Sequence, residues 1–181
     1  INCCLFDIGA ILRGGFEMSN VEYTEPKTVL SALQVVGDIT LVATAQQFGG
    51  FTLAELDKVL LPYVMKSLEA AKEKYLSLGL DQARSIEQAE KDVIRELEQG
   101  FQSLELKLNT VPCSRGDFAF TTITFGQWNT KDYAPLERKW LARTNEVMLR
   151  VRRNGHGPDK KPVVFPKLVY LYDAKQIADD S

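Results

Sequence analysis

The fold class of this chain is decided by Ala119-Phe-Thr-Thr-Ile-Thr-Phe125, a run of β-branched and aromatic residues that a glycine ends. Such a composition is typical of a β-strand, because branched and aromatic side chains fit the pleated surface of a sheet. Amphipathic helices are predicted on both sides of this strand, since apolar residues recur at steps of three and four over residues 86–108 and 140–151. A final strand is predicted over residues 163–172, where Pro166 favours a bulge or an edge position.

Toward the N-terminus, the pattern predicts one more strand and two more helices. Residues 1–8 form a short apolar run that fits a buried strand. A broad apolar face predicts a helix over residues 29–43. A second helix is predicted over about residues 53–78, opened by a capping box of Thr52 and Glu55.

This order of strands and helices is typical of a parallel α/β protein with right-handed crossovers. The expected fold class is α/β, helix-rich, with about three mainly parallel strands in a single partial domain over residues 1–181. The chain starts at Ile1 inside an apolar run. This start suggests an excised segment, although processing or trimming would look the same.

The composition is that of a soluble globular protein, with 45% hydrophobic and 25% charged residues. The net charge of −2 requires neither nucleic acid nor an acidic membrane as a partner. No apolar run reaches the roughly 18 residues of a membrane-spanning helix, and the first residues lack a secretory signal. We therefore expect a cytoplasmic protein without a membrane partner.

The candidate catalytic residue is Cys3, which follows Asn2 in the predicted first strand. Cys3, Cys4 and Cys113 form neither an even disulfide framework nor a C-x-x-C metal pair, so we expect thiols and no metal site. A strand cysteine is often only a buried hydrophobic residue. A neighbouring buried amide favours a ligand pocket, because Asn2 needs hydrogen-bond partners. Cys4 faces the opposite side of the strand.

Further polar candidates lie around the strand at residues 119–125. Ser114 and Arg115, before it, suit an anion, although an ordinary polar turn has the same composition. Thr122 and Thr124 share one face of this strand and could line a polar interior or bond to neighbouring backbone. His156, the only histidine, lies between two glycines and is expected to be an exposed loop residue.

A basic stretch offers an alternative kind of site. Residues 131–161 carry nine basic and four acidic side chains, an excess of five positive charges. Such a stretch could hold phosphates, but the pattern favours a solvated helix face.

Several segments, taken in order, resemble the anaerobic (class III) ribonucleoside-triphosphate reductase large chain. These segments are Asn2-Cys3-Cys4-Leu5-Phe6-Asp7, Gly14-Gly15-Phe16-Glu17-Met18, Tyr23-Thr24-Glu25-Pro26-Lys27-Thr28, Ala45-Gln46-Gln47-Phe48-Gly49-Gly50-Phe51-Thr52, Ser114-Arg115-Gly116-Asp117-Phe118, Thr122-Ile123-Thr124-Phe125-Gly126 and Phe165-Pro166-Lys167-Leu168-Val169. The resemblance implies the first half of a ten-stranded α/β barrel, from its first strand to about its third.

The resemblance also implies radical chemistry. In this family a glycyl radical passes to a cysteine on a loop inside the barrel, and that thiyl abstracts the ribose 3′ hydrogen. The 2′ hydroxyl then leaves, and a second cysteine on the first strand helps to deliver reducing hydrogen. Cys3 matches this second cysteine, and Asn2 matches a substrate-contacting residue. Ser114, Arg115, Thr122 and Thr124 are further candidates for substrate binding.

The parts of the enzyme expected outside this segment follow from the same resemblance. They are the glycyl radical, a radical-generating activase with S-adenosylmethionine and an iron-sulfur cluster, formate as the reductant, ATP and dNTP effectors, and the partner subunit of a homodimer. The segment itself is expected to bind no cofactor and to be inactive alone. The rival hypothesis is a non-catalytic helical module that binds nucleotide or nucleic acid through its basic face at residues 131–161.

Overall fold

The architecture is a parallel sheet with one layer of helices. The structure is a computed structural model that describes residues 3–18, 20–46, 49–112, 116–127 and 131–172. Its elements, in chain order, are β1 (Cys4–Phe6), α1 (Ile8–Gly14), β2 (Phe16–Met18), β3 (Val21–Tyr23), α2 (Val29–Ala45), β4 (Phe51–Leu53), α3 (Leu56–Ser77), α4 (Gln82–Thr110), β5 (Thr121–Gly126), α5 (Pro135–Asn154) and β6 (Lys167–Leu171).

Four strands form one parallel sheet in the order β1-β4-β5-β6. Thr52 of β4 lies between Leu5 of β1 and Thr122 of β5, and Thr122 in turn lies opposite Lys167 of β6. Strands β2 and β3 form a separate antiparallel hairpin. The helix-rich α/β class and the parallel sheet are confirmed, and the sheet contains one more strand than the sequence predicted.

The additional strand, β4, replaces the predicted capping box. Thr52 lies inside β4, and helix α3 begins only at Leu56. Glu55 precedes the helix with a left-handed backbone (φ 47°) and makes no side-chain cap. The capping-box prediction was therefore wrong. Three residues are too few to show strand alternation in the sequence, and the pairing of β4 with two neighbouring strands decides its structure.

The N-terminal segment also differs from its prediction. Strand β1 ends at Phe6, and helix α1 begins at Ile8, which was expected to be the last strand residue. Asp7 ends the strand because its Oδ1 accepts a hydrogen bond from the Ala10 amide at 3.0 Å and caps the helix. A helix of seven residues is too short to show a clear helical period in the sequence.

The helices cover one face of the sheet. On that face, Phe51, Leu53, Ile123 and Phe125 are buried in the core. The other face is uncovered by the described helices, and Leu5 there is 77% exposed. We call this second surface the open face, and its described residues are Cys3, Leu5, Thr52, Phe120, Thr122, Thr124, Lys167 and Val169.

The helix layer is held together partly by polar groups between helices. The Val29 amide, at the start of α2, donates a hydrogen bond to the buried Ser67 Oγ of α3 at 2.9 Å. The Ser67 hydroxyl donates in turn to Glu96 of α4 at 2.8 Å. One buried hydroxyl therefore links three helices. None of the helices within the described ranges is long and apolar enough to span a membrane.

Helices α2 and α4 approach each other closely at Gly100. A Cβ added at Gly100 would lie 2.5 Å from Leu33 Cδ1 and 3.2 Å from Leu33 Cβ. Real carbon atoms do not approach to 2.5 Å, so a side chain at this position would require Leu33 to shift or the two helices to move apart. The small residue is required by packing although glycine weakens a helix.

We expect Gly100→Ala to lower the free energy of unfolding by about 1–3 kcal/mol, because overpacking outweighs the better helix propensity of alanine. Urea unfolding followed by circular dichroism would measure the change. Gly14→Ala is the matched control, since nothing lies within 4 Å of a Cβ added there. An equal or greater stability of Gly100→Ala would show that the α2–α4 contact is not close-packed.

Candidate functional site

The predicted catalytic thiol lies on the open face, just before β1. Cys3 is exposed, and its Sγ accepts a hydrogen bond from the Gly50 amide at 3.3 Å. Cys4, the next residue, instead packs against the helix-covered core. The strand thus separates its two thiols, one toward the core and one toward the uncovered surface.

The two threonines proposed for the site lie on β5, two strands away from β1 across β4. Neighbouring strands are about 4.8 Å apart, so the backbones of β1 and β5 are separated by roughly 10 Å. Thr124 Oγ1 accepts a hydrogen bond from the Glu55 amide at 2.8 Å. Thr124 therefore anchors the turn that follows β4, and its hydroxyl hydrogen remains available as a donor.

The structure brings Cys3, Thr122 and Thr124 to one surface. The other proposed contacts, Asn2, Ser114 and Arg115, lie outside the described residues.

This surface also carries Phe120 and Lys167, to which the sequence patterns assigned no role. The Phe120 ring packs over Gly50, where an added Cβ would lie 3.1 Å from Phe120 Cδ1. The Lys167 ammonium lies over the same ring, 4.5 Å from its centroid. Phe165 packs edge-on against Phe120 at 5.2 Å between centroids. The alternation of Phe120 with Thr122 along the strand could have placed Phe120 on this face. The contact between Phe120 and Lys167 could not be predicted, because it depends on the register of β5 and β6.

A buried carboxylate organises the chain just before β6. Glu105 of α4 is 3% exposed, and its Oε1 accepts from Arg152 Nε at 2.6 Å. His156 Nε2 lies 2.8 Å from the other carboxylate oxygen. The expectation that His156 is an exposed loop residue was wrong, because the turn after α5 folds back and pairs His156 with Lys161. Only the tertiary structure brings α4 next to this turn.

This carboxylate cluster also holds the segment that leads into β6. Arg152 Nη2 donates a hydrogen bond to the Pro166 carbonyl at 2.6 Å. Asn109 binds both backbone groups of Phe165, the residue before Pro166. Its Nδ2 donates to the Phe165 carbonyl at 2.6 Å, and its Oδ1 accepts from the Phe165 amide at 3.2 Å. The start of β6, and with it Lys167, is therefore fixed by side chains of α4 and α5.

We expect Glu105→Ala to lower the free energy of unfolding by about 3–5 kcal/mol, because it leaves a partly buried guanidinium without its counter-charge. Chemical unfolding would measure the loss. The matched control is Glu98→Ala, which removes the carboxylate paired with Arg150 at 2.7 Å in a more exposed setting. The control should cost less than about 1 kcal/mol. Equal losses in the two variants would contradict a special role for the buried cluster.

A second buried carboxylate lies at the carboxyl end of β5. Asp57 of α3 is 1% exposed. Its Oδ2 accepts from the Gly126 amide at 3.1 Å, and its Oδ1 accepts from the Lys58 amide at 3.0 Å. Burial raises the pKa of Asp57, while these hydrogen bonds and the nearby Asn145 amide oppose the increase. Asp57 thus ties the start of α3 to the end of a sheet strand.

The raised pKa makes stability depend on pH. Between the usual Asp pKa of 3.8 and the higher native value, folded Asp57 keeps its proton after the unfolded chain has lost it. The unfolded state then binds fewer protons, so stability decreases as pH rises through this window. We expect the unfolding free energy of the wild type, minus that of Asp57→Asn, to decrease with pH above 3.8.

The asparagine of the Asp57→Asn variant does not titrate, so the variant contributes no slope of its own at this position and the slope of the difference reports on Asp57. Unfolding measured at a series of pH values would supply the curve. If the unfolding free energy of the wild type, minus that of the variant, increased with pH, a raised pKa of Asp57 would be contradicted.

Most of the basic side chains that helix α5 contributes to the stretch at residues 131–161 pair with carboxylates. Lys139 of α5 pairs with Glu90 of α4, and Arg150 pairs with Glu98. Arg143 pairs within its own helix. Together with Arg152 on Glu105, these contacts make the α5 surface a charge-paired helix face. The geometry therefore does not favour the rival nucleic-acid module.

Comparison with known proteins decides the family. A family model described as anaerobic ribonucleoside-triphosphate reductase matches residues 1–181. The chain belongs to this reductase family. The family resemblance seen in the sequence is thereby confirmed.

Relatives within the reductase family are similar over almost the whole chain. The anaerobic ribonucleoside-triphosphate reductase of Enterobacteria phage T4 is 34% identical over 195 residues, covering 98% of this chain and 30% of the relative. The Escherichia coli protein of the same name is 32% identical over 191 residues, covering 98% of this chain and 25% of the relative. The chain thus spans less than a third of the length of these reductases.

Solved structures of the reductase family share the fold. The anaerobic ribonucleotide reductase from Thermotoga maritima in complex with dATP and CTP aligns with a TM-score of 0.63 and 17% identity, covering 93% of this chain and 28% of that one. The same enzyme with citrate in the active site aligns with a TM-score of 0.61 and 15% identity, covering 93% of this chain and 30% of that one. These likenesses support the helix-rich architecture with its parallel sheet.

Proposed function

We propose that this segment forms one wall of the substrate pocket of an anaerobic ribonucleotide reductase, which reduces ribonucleoside triphosphates by glycyl and thiyl radical chemistry. The observation that carries the proposal is the position of Cys3, whose thiol lies on the uncovered face of a parallel sheet.

The chemistry needs a thiol at this position because an S–H bond is weak enough to give up its hydrogen atom. The glycyl radical of the complete enzyme supplies the unpaired electron that starts the reaction. Cys3 then helps to deliver reducing hydrogen to the sugar as the 2′ hydroxyl leaves. The hydrogen bond from the Gly50 amide to Sγ holds the thiol at the edge of the pocket. Covering the open face would exclude water from this chemistry.

We also propose that the sheet continues into a ten-stranded barrel and that residues 1–181 form one partial domain of it. Parallel sheets are normally covered on both faces. In the described part of the chain, β1 and β6 are the edge strands and one face is uncovered. Further polypeptide that pairs with the edges would make the open face the barrel interior.

The polar contacts to substrate would come from Asn2, Thr122 and Thr124, with Ser114 and Arg115 before β5. Thr122 is half-buried on the open face. Thr124 keeps a hydroxyl hydrogen to donate, although its oxygen accepts from Glu55. The homodimer, the activase, the formate reductant and the nucleotide effectors are proposed on family membership alone.

Cys3→Ala in a complete reductase that contains this segment is expected to abolish formation of deoxynucleotide, because the thiol hydrogen that Cys3 presents on the open face would be lost. Substrate binding should remain within about twofold, since the variant removes no charged contact. Product formation and nucleotide binding would be measured separately.

The matched control is Cys4→Ala, which removes the neighbouring thiol that packs against the core. It is expected to retain turnover with some loss of stability. Normal turnover of Cys3→Ala, or equal inactivation of both variants, would remove Cys3 from the mechanism.

A further inference from the structure

The open face carries one charged side chain among its described residues, and that charge has a defined position. We propose that Lys167, held over the Phe120 ring, binds a phosphate group of the nucleotide substrate. This inference rests on the proposed function, because it places the substrate on the same face as Cys3.

The sheet register gives the ammonium a suitable position relative to the thiol. Thr122 lies opposite Lys167, so the lysine is on the strand beside the proposed hydroxyl contacts. The ammonium leans back over Phe120, which directly precedes β5. It therefore lies about two strand spacings, or roughly 10 Å, from β1. A nucleotide with its sugar at Cys3 would extend its phosphates across the sheet toward Lys167.

The aromatic ring that carries the ammonium is itself held in place. Phe120 packs over Gly50, where no side chain competes for the space, and its edge contact with Phe165 supports the other side. Asn109 bonds both backbone groups of Phe165. Lys167 follows Pro166, whose carbonyl is bound by Arg152. The lysine is thus part of a built surface.

The charge of Lys167 needs an anion once the face is covered. Within the described ranges, no carboxylate forms a salt bridge with it, whereas the basic side chains of α5 are largely paired. Contact with a ring positions an ammonium but does not neutralise it. An ammonium that loses water without gaining a counter-charge is strongly disfavoured. Phosphate oxygens supply that charge, and lysine binds them well as a compact point charge.

The test uses a complete reductase that contains this segment, with Lys167→Gln, Lys167→Arg and the control Lys91→Gln. Lys91 lies on the exposed surface of α4, paired with Glu87, so its removal changes net charge without touching the open face. The measurements are KM and kcat for a ribonucleoside triphosphate, the inhibition constant of inorganic tripolyphosphate against that substrate, and KM for formate.

We expect Lys167→Gln to raise both the substrate KM and the tripolyphosphate inhibition constant by about 10- to 100-fold, as for loss of one charged hydrogen bond. The kcat should change much less, since the lysine contacts no reacting atom. Lys167→Arg should recover most of the affinity because it retains the charge. The Lys91→Gln variant and the KM for formate should match the wild type.

Three results would overturn the inference. They are an unchanged substrate KM in Lys167→Gln, a rise in the formate KM alone, and a loss of affinity in Lys167→Arg as large as in Lys167→Gln. If Lys167→Gln does not fold, the arginine variant still tests the inference, because a loss of tripolyphosphate inhibition in a variant that keeps the positive charge would oppose a charge contact.

Cys3→Ala, measured in the same enzyme, separates this inference from the proposed function. An inactive Cys3→Ala enzyme together with an unaffected Lys167→Gln enzyme would remove only the phosphate contact. A fully active Cys3→Ala enzyme would remove Cys3 from the mechanism and so overturn the proposed function, whatever the result with Lys167→Gln.

Discussion

The parallel sheet has one face buried under helices and one face uncovered, and this asymmetry organises the rest of the structure. Parallel strands are usually buried on both sides, because their crossovers place helices on the sheet. Here the described crossovers cover the face that carries Phe51, Ile123 and Phe125, while Leu5 and Val169 on the other side remain exposed. Stability is concentrated on the helix side, and every described residue proposed for chemistry lies on the other side.

Buried charges connect these two sides at the points where the backbone enters or leaves a strand. Asp57 bonds the Gly126 amide at the end of β5, and Arg152 bonds the Pro166 carbonyl just before β6. Each charge is costly to bury and must be matched by hydrogen bonds or a counter-charge. Glu105 supplies that counter-charge to Arg152. The helix layer therefore fixes the end of β5 and the start of β6.

Much of the fold could be predicted from periodicity. Helices α4 and α5 are long enough for the spacing of apolar residues to show which face is buried, and β5 has a clear strand composition. The short elements could not be predicted. Strand β4 and helix α1 have three and seven residues, and their structures depend on parallel pairing and on a local cap. The contact of His156 with the buried Glu105 also depends on residues far apart in the chain.

The sequence by itself determined the helix-rich α/β class, the family and the alternation that separates Cys3 from Cys4, because these follow from local residue patterns. Only the tertiary structure decided that Cys3 and Thr122 share a face with Phe120 and Lys167. The relative register of parallel strands is set by packing between segments far apart in the chain, and no local pattern encodes it. The same reason explains why the ammonium over the Phe120 ring could be seen only in the folded chain.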